Sequence, residues 1–359
     1  DRMRKVVKLI SLVIVGMLLL TGCSQSSVSK AGTGSQAAPA EKLNVKLAAQ
    51  ATSGQVFQYL AEDKGYLKEE GIDINLVYIN NGTDAFSALS SGQVDIISTY
   101  GTGGPLIQIA NGQEFTIFGG YMIIGATPVF AMPGTKYNSV EDFRGKKIAI
   151  MRGGTPDIVL KGILYDAGFD LKKDVTFVEM KKNTDVMEAV RSGGADFGSV
   201  STGFELQIKD AGMNIVMWPD ELWPNHSCCR MVAKTSWLKE NPETAQRVLR
   251  AYLRAEEIMP SNMDRVVELT VKNLDMSVET AKSFLLSPHI KYETDPYKNS
   301  VVKMWEKMQK FGYIVDPTVN IQDHIDTTNY KAALDYLQAK YPNSNFYKEK
   351  QKAFKEFNL

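Results

Sequence analysis

Residues 77–99 read VYINNGTDAFSALSSGQVDIIST, and residues 178–200 read VEMKKNTDVMEAVRSGGADFGSV, so one stretch of sequence returns 101 positions later. A spacing of this size is longer than the roughly 20 to 50 residues of a solenoid repeat, which indicates two domain-sized units of similar structure. Eight aligned positions are identical: Val77/Val178, Thr83/Thr184, Asp84/Asp185, Ala88/Ala189, Ser91/Ser192, Gly92/Gly193, Asp95/Asp196 and Ser98/Ser199.

Hydrophobic patterning predicts the same order of elements in both copies. Alternating or continuous apolar runs predict strands, and apolar residues at helical spacing predict helices between them. The predicted order is strand, helix, strand, helix, strand, at 42–49, 56–64, 72–79, 83–90 and 94–98, and again at 147–150, 157–167, 175–180, 184–191 and 196–200. Strands that alternate with helices favour mostly parallel sheets, whose ligands bind at the carboxyl ends of the strands.

The first 22 residues have the pattern of a secretory signal. Four basic residues flank or precede an apolar run at 9–20, which is too short for a stable membrane-spanning helix. The run ends in Leu-Thr-Gly-Cys, which resembles a bacterial lipobox with Cys23 as the lipidated residue. Residues 23–41 are rich in Ser, Gly, Ala and Gln and predict a flexible tether. We therefore expect an extracytoplasmic, lipid-anchored protein.

Length and charge limit the possible functions of the remaining chain. The chain has 359 residues, 44% of them hydrophobic, and a formal net charge of zero, which gives no clustered basic face for nucleic acid. The expected organisation is a first lobe at 42–132, a second lobe at 133–228, and a return to the first lobe with C-terminal helices at 229–359. Apolar segments at 127–132 and 229–233 are the expected crossings between lobes. We expect a monomer.

Paired loops after the predicted strands are the candidate ligand site. Free backbone N–H groups and hydroxyls would converge there, as they do where anions or polar head groups bind. The candidate residues are Gln50, Thr52, Ser53, Asn81, Tyr100, Gly101, Thr102, Gly153, Gly154, Thr155, Asn183, Ser201, Thr202 and His226. Thr83, Thr155 and Thr184 also fit a purely structural role as helix caps. Tyr100 lies in surroundings that cannot pack a sheet, and Glu205 could receive a cationic group.

Cofactor and metal chemistry find little support in the sequence. Neither a G-x-G-x-x-G fingerprint after a strand nor a G-x-x-x-x-G-K-[ST] loop occurs, so no nucleotide cofactor is expected. His226, Cys228 and Cys229 are too few and wrongly spaced for a usual metal site, and neighbouring strand residues point to opposite faces, which disfavours a Cys–His nucleophile. No disulfide framework, metal or catalytic residue is expected.

Several motifs resemble one branch of the solute-binding lipoproteins of ABC importers, the branch for nitrate, sulfonate, taurine and thiamine pyrimidines. The likeness covers about residues 42 to 260. The motifs are AEDKGYLKEEGI at 61–72, SGQVD at 91–95, FRGKK at 143–147 and WLKENPE at 237–243. The resemblance implies a two-lobed periplasmic-binding-protein fold of type II that closes on a small polar or anionic organic solute and presents it to permease subunits.

Two alternatives remain open. The same branch contains fungal enzymes that make the thiamine pyrimidine, but this chain has two of their cysteines and Gln55 where their active-site His is expected. A ligand-sensing lipoprotein would use the same two lobes. Because identical positions in the repeat would preserve the fold, we expect unlike pairs, such as Asn81 with Lys182 and Tyr100 with Ser201, to recognise the ligand.

Overall fold

The computed structural model describes residues 42–316 and 318–359. The expected signal at 1–22, the tether at 23–41 and Cys23 lie outside the described residues. Between residues 42 and 359, apart from residue 317, no helix is long and apolar enough to cross a membrane.

The first lobe is built on a six-stranded sheet in the order β11-β4-β10-β3-β1-β2. Its strands are β1 (Leu43–Ala49), β2 (Ile72–Tyr78), β3 (Ile96–Ile97), β4 (Phe115–Ile124), β10 (Cys229–Lys234) and β11 (Lys291–Tyr292). The second lobe is built on a five-stranded sheet in the order β7-β6-β8-β5-β9. Its strands are β5 (Val129–Ala131), β6 (Lys147–Met151), β7 (Thr176–Met180), β8 (Phe197–Ser199) and β9 (Asn214–Met217).

Both sheets are mixed, whereas the sequence predicted mostly parallel sheets. β1 pairs in parallel with β2 and β3, and β6 pairs in parallel with β7 and β8, as the repeat requires. The remaining pairs are antiparallel. In the first sheet β10 pairs with β3 and β4, and β11 pairs with β4; in the second sheet β5 pairs with β8 and β9.

Two connections join the lobes, at 125–128 and 218–228, and are called the crossings below. The first crossing differs from the expected one, because β5 lies wholly in the second sheet; the lobe boundary expected at residue 132 therefore falls before β5. β10 begins at Cys229 and pairs with β3 and β4 of the first sheet. The strand segments expected as crossings thus belong to the sheets that they follow or precede.

Helices flank the sheets, and most of those after residue 234 clad the first lobe. α9 packs against α1 and α13, and its buried residues join the core of the first lobe. The helices are α1 (Val56–Asp63), α2 (Tyr66–Glu69), α3 (Gly82–Ser91), α4 (Gly103–Ala110), α5 (Thr155–Asp166), α6 (Asn183–Arg191), α7 (Glu205–Asp210), α8 (Thr235–Glu240), α9 (Pro242–Ile258), α10 (Met263–Leu274), α11 (Val278–Leu285), α12 (Lys298–Lys310), α13 (Thr328–Lys340) and α14 (Asn345–Asn358). Short 3-10 helices lie at Val140–Phe143, Pro219–Glu221, Met259–Asn262 and Ile321–His324.

Candidate functional site

The two lobes meet at loops that follow their central strands, and one carbonyl group receives hydrogen bonds from both. The Thr102 N–H of the first lobe donates to the Cys228 carbonyl oxygen at 2.8 Å, and the Thr102 hydroxyl donates to it at 3.2 Å. The Thr155 hydroxyl of the second lobe donates to the same oxygen at 3.1 Å. Thr102 and Thr155, both predicted site residues, are thus brought together by the end of the second crossing.

Glycines allow this close approach of the lobes. A Cβ atom at Gly101 would lie 2.4 Å from the Thr155 Oγ1, closer than real side chains pack. A Cβ atom at Gly203 would lie 3.0 Å from the Thr52 carbonyl oxygen. Since Gly101 and Thr52 belong to the first lobe and Thr155 and Gly203 to the second, the interface between the lobes is closed in this structure.

The loop between β1 and α1 is shaped by hydrogen bonds within the first lobe. The Gln50 N–H donates to the Thr99 Oγ1 at 2.6 Å, and the Gln50 side chain donates to the Asn80 carbonyl oxygen at 3.1 Å. The Tyr121 hydroxyl donates to the Ser53 carbonyl oxygen at 2.9 Å. The loop therefore stands preformed at the interface, with Ser53 buried.

Asn81 caps a helix in the first lobe. Its side-chain oxygen accepts from the N–H groups of Thr83 at 2.8 Å and Asp84 at 3.3 Å, and α3 begins immediately after it. The expectation that Thr83 is the cap is therefore wrong, because Asn81 satisfies the free N–H groups of the first turn.

The matching helix of the second lobe begins without a side-chain cap. Lys182 occupies the N-cap position of α6 and makes no capping hydrogen bond, so the cap expected at Thr184 is also wrong. The Asn183 side-chain oxygen instead accepts from the Ser201 N–H at 3.2 Å. This bond joins two predicted site residues and fixes the loop after β8 to the start of α6.

Tyr100 is a packing residue of the first lobe, contrary to the expectation that its surroundings could not pack. Its side chain is 3% exposed, lies 6.1 Å from Phe86 between ring centroids, and donates its hydroxyl to the Ile79 carbonyl oxygen at 2.6 Å. Burial raises the pKa of Tyr100 well above its ordinary value. The ring thus closes the gap between the loops after β2 and β3.

The buried Asp157 carboxylate fixes the glycine pair of the second lobe by a hydrogen bond. Gly153 has a φ of 77° and donates its N–H to the Asp157 carboxylate at 2.8 Å. The Tyr313 hydroxyl donates to the same carboxylate oxygen at 2.5 Å. Gly154 then occupies the N-cap position of α5, and Thr155 is the first residue of the helix rather than its cap.

His226 and Thr202 brace the crossings. The His226 ring is fully buried, and its Nε2 accepts from the Gly125 N–H at 3.4 Å. Its Nδ1 lies 3.3 Å from the Trp223 carbonyl oxygen, which can only accept, so Nδ1 carries the proton. The Thr202 hydroxyl donates to the Ala126 carbonyl oxygen at 3.0 Å. His226 of the second crossing and Thr202 thus both bond to backbone groups of the first crossing.

Glu205, which was not among the predicted site residues, begins α7 and has one carboxylate oxygen buried without a partner in the described residues. Its Oε2 accepts from the Gly203 N–H at 2.9 Å, whereas its Oε1 is buried and accepts no hydrogen bond within the described residues. Burial raises the pKa of Glu205 to about 7, and the N–H groups of Glu205 and Gly203 offset this only in part. From the sequence, Glu205 was predicted only to be able to receive a cationic group of the ligand.

Tyr292 lies close enough to this acid to interact with its charge, and its ring packs against two others. The Tyr292 ring lies 5.4 Å from the Tyr121 ring and 6.3 Å from the Phe57 ring. Burial is the main cause of a raised pKa at Tyr292, and the Glu205 carboxylate adds to it. The Tyr292 hydroxyl is also buried without a hydrogen-bond partner among residues 42–316 and 318–359.

Gln55 contributes a further unpaired polar atom from the first lobe. Its amide nitrogen donates to the Ser98 hydroxyl, but its side-chain oxygen is buried and unpaired in the described part of the chain. Gln55 directly precedes α1, so its position could be read from the sequence. Tyr292 could not, because it belongs to a two-residue strand in the C-terminal part and follows no motif.

The adjacent thiols lie at the same junction. Cys228 and Cys229 are each 4% exposed, and their Sγ atoms are 3.4 Å apart. The hydrogen bond from the Cys229 thiol, aided by His226, lowers the pKa of Cys228 to about 6, while burial works against it. In the described residues no group of three or more His, Cys, Asp and Glu side chains could hold a metal ion.

Comparison with known proteins agrees with this architecture. The model of the family described as NMT1/THI5 like matches residues 54–264. A protein of Brucella abortus (strain 2308), named for binding without a stated ligand, is 27% identical over 297 residues, which are 78% of this chain and 87% of that protein. The formylaminopyrimidine-binding protein of Halalkalibacterium halodurans is 22% identical over 318 residues, covering 84% of this chain and 91% of its own length.

The fold is shared with a solved periplasmic protein. The periplasmic nitrate-binding protein NrtA of Synechocystis PCC 6803 superposes with a TM-score of 0.68 at 16% identity, over 84% of this chain and 90% of that one. The expected fold class is thereby confirmed, and so is the expected resemblance to solute-binding proteins. On the match over residues 54–264, which is more than half of its length, this chain belongs to the NMT1/THI5-like family.

Proposed function

We propose that this chain is the extracytoplasmic solute-binding component of an ABC importer and that it is anchored by a lipid on Cys23 after removal of residues 1–22. It works as a monomer, takes a small solute between its lobes and delivers it unchanged to the permease. The relatives named for binding and the two-lobed fold support this function.

The Glu205 carboxyl group narrows the class of solute and is the observation on which the proposal depends. One of its oxygens is buried without a hydrogen-bond partner in the part of the chain that the structure describes. A buried carboxylate oxygen without a partner is costly, and Glu205 is mostly ionised at pH 8, so there the bound solute supplies the hydrogen-bond donor. The solute is therefore a neutral or cationic molecule with N–H groups, in place of the anionic one expected from sequence.

The rings near Glu205 favour a planar solute. Tyr292 interacts with the Glu205 carboxylate and packs edge-on against Tyr121 and Phe57, and such a ring can stack on a flat ligand. An aminopyrimidine-like heterocycle combines a flat ring with N–H donors. The name of the formylaminopyrimidine-binding relative agrees with this class, while the basic residues Arg152 and Lys182 lie exposed.

Closure follows from contacts that exist only when the lobes meet. The Cys228 carbonyl oxygen accepts from Thr102 of one lobe and Thr155 of the other. A solute that contacts Gln55 in the first lobe and Glu205 in the second adds binding free energy to the closed state alone, and it shifts the population toward closure.

The test is a comparison of heterocyclic solutes that carry N–H donors with anionic solutes. An aminopyrimidine, a formylaminopyrimidine, an alkanesulfonate and nitrate are each titrated into the protein by calorimetry. Each compound is then recovered and identified by mass spectrometry. We expect the pyrimidines to bind and to be recovered unchanged. Glu205→Gln weakens that binding about 10- to 100-fold, the value of one hydrogen bond to a charged group.

Glu188→Gln, on the exposed face of α6 in the same lobe, is the matched control and leaves binding unchanged. Tight binding of the sulfonate or nitrate with no effect of Glu205→Gln contradicts the solute class. Conversion of a pyrimidine into a new compound contradicts the transport function itself.

A further inference from the structure

The carbonyl oxygen that accepts hydrogen bonds from both lobes belongs to the peptide group between two cysteines. Its acceptor oxygen is that of Cys228, and the amide nitrogen of the same peptide group is that of Cys229. Any change that rotates this peptide group therefore moves the acceptor away from Thr102 and Thr155. The peptide group lies where the second crossing ends and β10 begins.

The two thiols are already in contact. Their Sγ atoms are 3.4 Å apart, and the Cys229 thiol also lies 3.5 Å from the Thr99 carbonyl oxygen. A Cβ atom at Gly125, in the first crossing, would lie 2.2 Å from the Cys228 Sγ, so the Cys228 side chain fills the space between the crossings. The thiolate is the reactive form of cysteine, and the lowered pKa of Cys228 favours it near neutral pH.

We propose that Cys228 and Cys229 are a redox modification site, at which an intramolecular disulfide between neighbouring residues removes the hydrogen bonds that hold the lobes together. Solute-binding proteins of this fold work outside the reducing cytoplasm, where disulfides persist. Both thiols are buried in the closed state, so the oxidant reaches them when the lobes separate; in this respect the inference rests on the proposed closing motion.

The reaction balances with an azo compound as the oxidant. The Cys228 sulfur adds to the N=N bond, and the Cys229 sulfur then displaces the hydrazine and forms the S–S bond. The two thiols lose two protons and two electrons, and both pairs end on the nitrogens of the hydrazine. A small disulfide serves equally, since it is reduced to two thiols as the new bond forms.

Geometry couples this bond to the lobes. Consecutive Cα atoms are about 3.8 Å apart, shorter than the roughly 4.4 Å at which ordinary disulfides begin, so the peptide group between them must distort. The Cys228 carbonyl oxygen then leaves the Thr102 N–H and the Thr155 hydroxyl. Strain also makes the bond easy to reduce, which allows the closed state to return.

The chemical part is tested on the full chain with Cys23→Ser, so that the other cysteine cannot exchange. After treatment with diamide, trypsin releases residues 210–230 as one peptide that contains both cysteines. We expect this peptide to be two hydrogen atoms lighter and resistant to iodoacetamide, and to regain both hydrogens with dithiothreitol. Two alkylatable thiols, or only intermolecular disulfides, overturn the proposal.

The structural part is read by hydrogen exchange of the oxidised and reduced chains. The Thr102 amide, which donates to Cys228, should exchange about tenfold faster after oxidation. The Lys147 amide, which donates to Asp196 inside the second lobe, is the internal control and should not change. Cys229→Ser should abolish the response to diamide.

Unchanged exchange at Thr102 in a fully oxidised chain overturns the coupling to the lobes. Failure of the thiols to oxidise, in a protein that still binds its pyrimidine, overturns this inference and leaves the proposed function intact. Loss of solute binding in the reduced wild-type chain contradicts the proposed function instead, since no disulfide is then involved.

Discussion

The two lobes repeat one hydrogen-bond arrangement at the residues that the repeat preserves. The Asp95 carboxylate accepts from the Lys46 N–H at 2.8 Å, and the Asp196 carboxylate accepts from the Lys147 N–H at 2.8 Å. In each pair the aspartate N–H returns a bond to the lysine carbonyl oxygen. The identical aspartates therefore close the same three-stranded core twice, which is why they do not take part in the site.

The lobes differ where the helices begin. Gln55 precedes α1, while Pro156, its counterpart 101 positions later, lies in the first turn of α5. Glu205 begins α7, and its counterpart Gly104 lies in α4. Within the described residues, the first lobe thus has a buried amide oxygen without a hydrogen-bond partner, and the second lobe has such a carboxyl oxygen. The repeat therefore gives the two lobes the same strand and helix order, whereas the residues that begin these helices differ between the lobes.

The C-terminal helices are a second difference between the lobes. They cover the first lobe and stabilise it through buried ion pairs. Lys350 of α14 is 9% exposed and forms ion pairs with Glu256 of α9 and with Glu293, the latter at 3.2 Å. Lys350→Met leaves two acids without this partner, which we expect to lower the free energy of unfolding by about 3 to 5 kcal/mol.

Urea unfolding followed by circular dichroism measures this loss, and hydrogen exchange should assign it to the first lobe. Lys352→Met, at an exposed position of the same helix, is the control and should change stability by less than about 0.5 kcal/mol. Equal losses in both variants, or faster exchange in the second lobe, would show that the C-terminal helices do not distinguish the lobes.

Glu205 gives the second lobe a pH dependence that its counterpart Gly104 cannot give the first. Its pKa rises from 4.5 to about 7 on folding, so the unfolded chain loses this proton first and stability falls as pH rises between these values. The full cost above pH 7 is about 3 kcal/mol. Glu205→Gln removes it, so the variant should unfold at higher urea than the parent at pH 8.

At pH 4 the two proteins should unfold at the same urea concentration, because Glu205 is then protonated in both states. The other buried acids are common to both chains and cancel in the comparison. Identical unfolding at pH 8 would mean that water reaches the Glu205 carboxyl, and the solute would then not need to supply an N–H donor.

Much of this fold was predictable from the repeat, and the reason is local. Periodicity and the glycines at the ends of α3 and α6, Gly92 and Gly193, mark the strand and helix order in each copy. The predicted positions of the crossings were wrong. The sequence of a short apolar strand such as β5 does not tell which sheet it joins, and only its pairing with β8 and β9 does. Antiparallel strands entered both sheets for the same reason.

The site was less predictable, because loop residues serve each other as well as a ligand. Thr102, Thr155 and Gly101 do meet between the lobes, whereas Tyr100 packs inside the first lobe. Tyr292 lies in the C-terminal part of the chain, and no local pattern connects it to Glu205. The sequence predicts which loops lie between the lobes. Which polar atom of a loop is left without a hydrogen-bond partner depends on contacts with distant segments.

The smallest expected effect concerns the unlike pair Asn81 and Lys182. Asn81 caps α3 with two hydrogen bonds, whereas Lys182 makes none at the start of α6. Asn81→Ala should therefore lower the free energy of unfolding by about 1 kcal/mol, and Lys182→Ala by less than about 0.5 kcal/mol. Calorimetric titration with the pyrimidine should give unchanged affinity in both variants. If Asn81→Ala weakens binding while stability is unchanged, the side chain contacts the solute, and the difference between the two helix starts concerns recognition rather than capping.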